Sequence, residues 1–494
     1  MRHSAYADST SVWGVCFLAV CFLAFAHLTI KGVFPNPAFW FVGAGAIVAT
    51  GSWFLIARHD TWGFLLAVFV CAHFAFAADQ GGLWAYVLCA LLLTAIVLKY
   101  RPGFRIASVP KGINALVLIF LAHQLIGLLL NPYSLVSNIQ SLVVTGAQLV
   151  AFYGCASLSM SETRFKRLLK VWFLVAAWVF MIALNQKYHW LITPSPLLPQ
   201  REERTGMFTT IAAGSFGNSE LFSEYFCIVF VLSLILIAYS KALARLRVGM
   251  VFLLLMILFA TASMLMGGSR AAILLAGAAT GYIVLENAVL TPSIRSIRRL
   301  PVFAGMAVVC VVFLVRFGSY FSLGETMEKF AALDPTEMSV ESIVSGDSIN
   351  RNTVYALGYR RLGEESWWIG YGFNLPENNT RSLGLIGEDH SDFHSLYLEL
   401  PIFYGWIGSA AYVLIVLCTG LRCYRCYFRN KTHNHFLVPV ALGFSVVWGV
   451  FLLDQYKISV TRNPSYFLMT WFWLGWTHSV ANALRPNLLS VRRD

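Results

Sequence analysis

Apolar runs close to 20 residues long recur from one end of this 494-residue chain to the other, broken by hydrophilic stretches that are mostly short. Coiled as an α-helix rising about 1.5 Å per residue, such a run matches the roughly 30 Å of hydrocarbon in a bilayer. Backbone polar groups in lipid must be satisfied within the segment itself, so helix is the form each run is expected to take. Candidate spans fall at 11–30, 37–56, 61–77, 83–98, 113–130, 138–158 and 168–184, then at 221–240, 248–266, 271–290, 300–317, 396–421, 435–453 and 464–484. The first has one Arg before it and another span directly after it, so it reads as a membrane helix and not as a cleavable leader. The expectation is an all-α polytopic membrane protein with about 14 transmembrane helices.

Charge sets the orientation. Only 12% of residues are charged, against roughly 25% for a soluble domain. A net charge of +12 could suggest nucleic acid, but a nucleic-acid binder gathers its Lys and Arg on one hydrophilic face. Here they fall in short clusters between apolar runs, the pattern of the positive-inside rule. With the N-terminus in the cytoplasm, 23 of the 36 basic residues lie on the cytoplasmic side, so both termini are expected there. Residues 1–317 then hold eleven helices and a short outer segment at 185–220. Residues 318–395 form one large outer loop, and 396–494 hold three helices and a cytoplasmic C-terminus. No inverted repeat of the transporter kind stands out.

The outer segments concentrate the polar chemistry. The first carries Arg201, Arg204 and the sequence Gly217-Asn218-Ser219-Glu220, with Glu224 one helical turn later. Glu220 and Glu224 share a face at the head of a helix, where carboxylates complement the helix dipole or contact a substrate. The sequence Met266-Gly267-Gly268-Ser269-Arg270 interrupts an otherwise uncharged run from Val251 to Leu285, too long for one span, so the chain must turn there. Arg270 at the outer edge either anchors that hairpin or waits for an anion. The large loop offers Arg351, Arg361, Trp367, Trp368, Tyr371, His390, Asp392 and His394. His390 and His394 could share a helix face as metal ligands, but no further His or Cys is at hand, and a general base fits better. Cys423 and Cys426 have C-x-x-C spacing without a second pair, so they read as structural. His27, His73 and His123 are scattered among the spans, which gives a transporter reading little to stand on.

Taken in order, Arg204-Thr205-Gly206-Met207-Phe208 with Gly217-Asn218, Gly268-Ser269-Arg270, the Arg351 segment, Gly370-Tyr371-Gly372, His394-Ser395-Leu396-Tyr397-Leu398, Gly405 and Gly408 resemble the O-antigen ligase and O-antigen polymerase superfamily of bacterial lipid-linked glycan transferases. The resemblance covers about 200–420; the spans before it match only in being hydrophobic. Ser395 stands where the family often has Asn, and His390 is the second candidate for the motif histidine.

The resemblance implies a GT-C-like fold with one large periplasmic loop, in the bacterial inner membrane, and inverting glycosyl transfer at the periplasmic face without metal or cofactor. The donor it implies is a glycan on undecaprenyl diphosphate. Arg204, Arg270 and Arg351 would bind the diphosphate, for which guanidinium forks are suited, and His394 would deprotonate the acceptor hydroxyl. Glu220, Glu224, Arg361, His390, Trp367, Trp368 and Tyr371 are further candidate substrate contacts. The implied partners are the lipid-linked donor, an acceptor glycan or lipid A-core, membrane lipids and chain-length-regulating or export proteins, with no nucleic acid. Arg361 followed by ten residues and Gly372 resembles an outer-loop motif of polymerases. It favours a polymerase of O-antigen or exopolysaccharide repeat units over a ligase; a membrane transporter is the alternative from another class.

Overall fold

The computed structural model describes residues 108–130, 135–157, 160–188, 212–214, 216, 218–239, 249–286, 300–321, 323–324, 368–370, 395–431, 433 and 435–484. Among them the ordered elements are all helical. They are α1 (Lys111–Leu130), α2 (Leu135–Ala156), α3 (Glu162–Tyr188), α4 (Ser219–Ala238), α5 (Met250–Met266), α6 (Arg270–Leu285), α7 (Leu300–Phe317), α8 (Leu396–Asn430), α9 (Leu437–Asp454) and α10 (Pro464–Ala483). Two short 3-10 turns follow α7 and precede α10, at Gly318–Phe321 and Val460–Arg462. Each helix coincides with an expected apolar run. The four spans expected at 11–98 and most of the large loop lie outside the described residues. Five helices, α1, α3, α4, α8 and α9, are long and apolar enough to cross a membrane, so the described residues have the make-up of an all-α membrane protein.

Two expected spans are exceeded. Helix α3 begins at Glu162 and ends at Tyr188, and α8 runs on to Asn430. Hydropathy finds only the stretch that suits lipid, whereas a helix continues into polar sequence until something breaks it.

Helix α4 is the centre. Every residue from Ser219 to Ala238 except Phe230 is buried, and α5, α6 and α9 pack around it. Helix α8 packs on α1, α9 and α10, and α10 packs on α2. Lipid tails are as apolar as Leu, so these contacts hold through close van der Waals packing rather than by exclusion of water. Aromatic rings supply much of it. Trp473 of α10 stacks on Tyr225 of α4 with ring centroids 6.1 Å apart, and Trp476 meets Trp172 of α3 edge-on at 5.8 Å. Trp471 meets Phe152 of α2 edge-on at 5.6 Å. Leu118, Leu125 and Leu129 of α1 point outward, as lipid-facing side chains do.

Above and below this apolar middle lie two polar layers. At the basic end of α8, Arg422 hydrogen-bonds His478 Nδ1 and Asn482 Oδ1, while His478 Nε2 lies 3.1 Å from Thr419 Oγ1. The Thr419 hydroxyl donates to Ile415 O, so it accepts from Nε2–H and His478 is the neutral Nε2–H tautomer. Cys423 and Cys426 turn their thiols toward the Thr477 and Ala481 carbonyls, so the C-x-x-C pair fastens α8 to α10.

Helix α8 breaks at Gly405, whose φ of 66° is open to glycine and costly for L side chains. Gly370, at φ 78°, lies against the break; a Cβ on Gly405 would fall 2.1 Å from Trp368 O, and one on Gly370 would fall 2.4 Å from Gly405 N. Gly405→Ala is therefore expected to cost about 1–3 kcal/mol in backbone strain alone, with the clash in addition. It should lower the thermal unfolding midpoint in detergent and release the 368–370 segment to proteolysis. Gly449→Ala, which meets nothing within 4 Å, is the matched control and should not lower the midpoint.

Candidate functional site

Four pieces of chain converge at the end of the bundle opposite the basic tail of α8. They are the head of α4, the hairpin between α5 and α6, the head of α8 and the connection from α9 to α10.

The head of α4 is held from both sides. Asn218 caps it, its Oδ1 accepting from Glu220 N–H at 2.8 Å and Leu221 N–H at 3.1 Å. In the approach to it, Gln186 of α3 donates to Gly214 O at 2.7 Å and accepts from the N–H groups of Ala213 and Gly214. Asn463 donates to Phe216 O at 3.1 Å, which ties the α9–α10 connection to the same approach. In the hairpin, Gly267 presses on α4 so closely that a Cβ there would fall 2.2 Å from Ser223 Oγ and 3.0 Å from Ser219 O. Ser269 then caps α6, and Arg270, its first residue, is only 7% exposed. A guanidinium withdrawn this far from water is the functional signal the sequence offered at this turn.

Glu220, also buried, accepts from Lys457 Nζ at 3.1 Å, and the same ammonium lies 3.1 Å from Ser269 Oγ. Glu224, fully buried, accepts from the Gln455 amide and the Tyr466 hydroxyl, each at 2.7 Å. The carboxyl of Asp454, at the end of α9, faces that of Glu224. Its Oδ1 has no donor among the described residues. At the head of α8, Glu399 accepts from Thr461 Oγ1 at 2.5 Å, and Leu396 N–H donates to Gln455 O at 3.0 Å. Gln455 Oε1 accepts from Val460 N–H at 2.8 Å, which fixes the shape of the connection.

Of the sequence-derived candidates, the fold brings Glu220, Glu224 and Arg270 into this one buried polar layer. Trp368 is described too, but it is 61% exposed beside the break in α8. Arg204, Arg351, Arg361, Trp367, Tyr371, His390 and His394 lie outside the described residues, although Ser395, the residue after His394, is buried at the head of α8. The members that sequence reasoning did not select are Asp454, Gln455, Lys457, Thr461 and Tyr466. One signal was available: Lys457 is a basic residue on the expected outer side, against the charge bias.

Helix N-termini and a buried guanidinium favour an anion, while Glu220 offsets the charge of Lys457. An anionic ligand at one edge and a proton acceptor at the other are both within the chemistry of such a layer. No family model and no curated protein matches the chain.

Proposed function

We propose that this chain is a metal-independent glycosyltransferase that polymerises lipid-linked polysaccharide repeat units, of O-antigen or exopolysaccharide, at the periplasmic face of the bacterial inner membrane. The observation that carries the reading is Arg270. It is withdrawn from water on a hairpin seated against the head of α4, in one layer with Glu220 and Glu224. That layer lies at the end opposite Arg422, Arg425 and Arg429, which the positive-inside rule assigns to the cytoplasm together with both termini.

In this reading the donor is a glycan on undecaprenyl diphosphate, its lipid tail among the helices. The acceptor hydroxyl attacks the anomeric carbon from the face opposite the diphosphate. As the new carbon–oxygen bond forms, the bond to the diphosphate breaks and its electron pair leaves with the phosphate oxygen. Arg270, with Arg204 and Arg351, stabilises the charge that develops there. His394 takes the hydroxyl proton, acting as general base with a side chain whose ordinary pKa lies near neutrality.

The test is a reconstituted assay with purified protein and lipid-linked repeat units, without added metal. Longer lipid-linked chains are the expected product. Transfer only after lipid A-core is supplied would make the enzyme a ligase with the same chemistry. Transfer to neither acceptor would sink the enzymatic reading and leave transport of the lipid-linked glycan to be measured.

A further inference from the structure

Lys457 belongs to none of the motifs, yet its surroundings are those of an anion-binding cation. It stands on the α9–α10 connection, 5% exposed, with Nζ 3.1 Å from Glu220 Oε1 and 3.1 Å from Ser269 Oγ. An ammonium has three N–H donors. Those two contacts occupy two of them; the third makes no hydrogen bond among the described residues, where the Asp454 carboxyl is the other charged group acting on this ammonium. Ser269 is in the same position: its Oγ accepts from Lys457 Nζ and from Ala272 N–H at 3.4 Å, so its own O–H remains to be donated. It too is buried, and among the described residues its hydroxyl makes only those two contacts, both as acceptor. Two buried donors thus await an acceptor, one residue along the chain from the Arg270 guanidinium.

Stability alone does not account for the pair. Desolvating both charges of a buried ion pair offsets most of their attraction, and apolar replacements often serve as well. An ammonium on a flexible four-carbon stem is also a common binder of phosphate, as a point charge beside a planar guanidinium fork.

We propose that Lys457 and Ser269 bind the diphosphate of the lipid-linked donor, with Glu220 as a built-in competitor. Glu220 compensates the ammonium while the site is empty. The arriving diphosphate takes its place on Lys457, and one phosphate rests against Lys457 and Ser269 while the other rests against Arg270. This inference rests on the glycosyl-transfer reading and adds to it the residues that distinguish a diphosphate from a monophosphate.

The test is equilibrium binding to the purified full-length protein in detergent, using undecaprenyl diphosphate, undecaprenyl monophosphate and inorganic pyrophosphate as probes. The wild type is expected to prefer the diphosphate lipid. Lys457→Met should weaken diphosphate binding about tenfold, the loss of one charge-assisted contact, and leave monophosphate binding within about twofold. Glu220→Gln should tighten diphosphate binding about threefold, because the competing charge is gone while an amide oxygen still supports the ammonium. Pyrophosphate should compete with the lipid; failure to compete would place recognition in the tail and overturn the proposal. Unchanged affinity in Lys457→Met, or weaker binding in Glu220→Gln, would overturn it as well. Should Lys457→Met not fold, Glu220→Gln decides alone, since a merely structural ion pair predicts no tightening. Wild-type binding that Arg270→Ala removes and Lys457→Met spares would sink the role of Lys457 and keep the transfer reading. A wild type that binds neither lipid would sink both.

Discussion

Arg270→Ala is expected to reduce glycan transfer by about 10²–10³-fold, the usual cost of removing one preorganised donor from a developing negative charge. The guanidinium is the first residue of α6 and is buried, so no water replaces it at low energetic cost. Arg270→Lys should fall between the two, since an ammonium keeps the charge and loses the planar fork. Initial rates in the reconstituted assay, read beside the thermal midpoint of each variant in detergent, check this. A rate that falls only in step with the midpoint would make Arg270 a structural residue. The position argues otherwise: the hairpin is already fixed by Gly267 against α4 and by the Ser269 cap.

Glu224→Ala should produce the largest loss of stability among the variants of the polar layer, roughly 3 kcal/mol, at about 1–3 kcal/mol for each buried group left unpaired. Two donors depend on that carboxylate, the Gln455 amide and the Tyr466 hydroxyl, and through them α4 holds the α9–α10 connection and α10 itself. Glu224→Gln keeps an acceptor of the same shape and should cost far less. Tyr466→Phe combined with Glu224→Ala should cost less than the sum of the two, because the paired groups are then removed together. Thermal unfolding in detergent of the three single variants and the double variant measures this.

The helices were readable in the sequence because lipid imposes a simple rule, an apolar run of about 20 residues; α1, α3, α4, α8 and α9 obey it in full, and the other helices were marked by the same apolar runs. The α5–α6 turn was readable for the same reason: the run from Val251 to Leu285 is too long for one crossing, and Gly267, Gly268 and Arg270 mark where it folds back. Glu220, Glu224 and Arg270 stood out as charges inside or beside apolar sequence, and the fold gathers all three. The other half of the layer was not readable. Asp454, Gln455, Lys457 and Thr461 sit on a short connection with no motif spacing; the first three matter through groups more than two hundred positions away at Glu220 and Glu224, and Thr461 through Glu399 at the head of α8. Tyr466 looked like one more aromatic residue in an apolar run; only its hydroxyl, aimed at Glu224, sets it apart. Nor does hydropathy register the break at Gly405, since a glycine with positive φ counts there like any other small residue.

In the proposed function the buried layer around Arg270 receives the diphosphate of a lipid-linked glycan. The most direct test is photo-crosslinking of the reconstituted wild-type protein with an undecaprenyl diphosphate analogue whose photoreactive group sits beside the diphosphate, followed by peptide mapping. Labelling confined to the head of α4, the Gly267–Arg270 hairpin and the Asp454–Asn463 connection, and lost when unlabelled undecaprenyl diphosphate is in excess, is the predicted result. Competable labelling at the opposite end of the bundle, around Arg422 and His478, would contradict it.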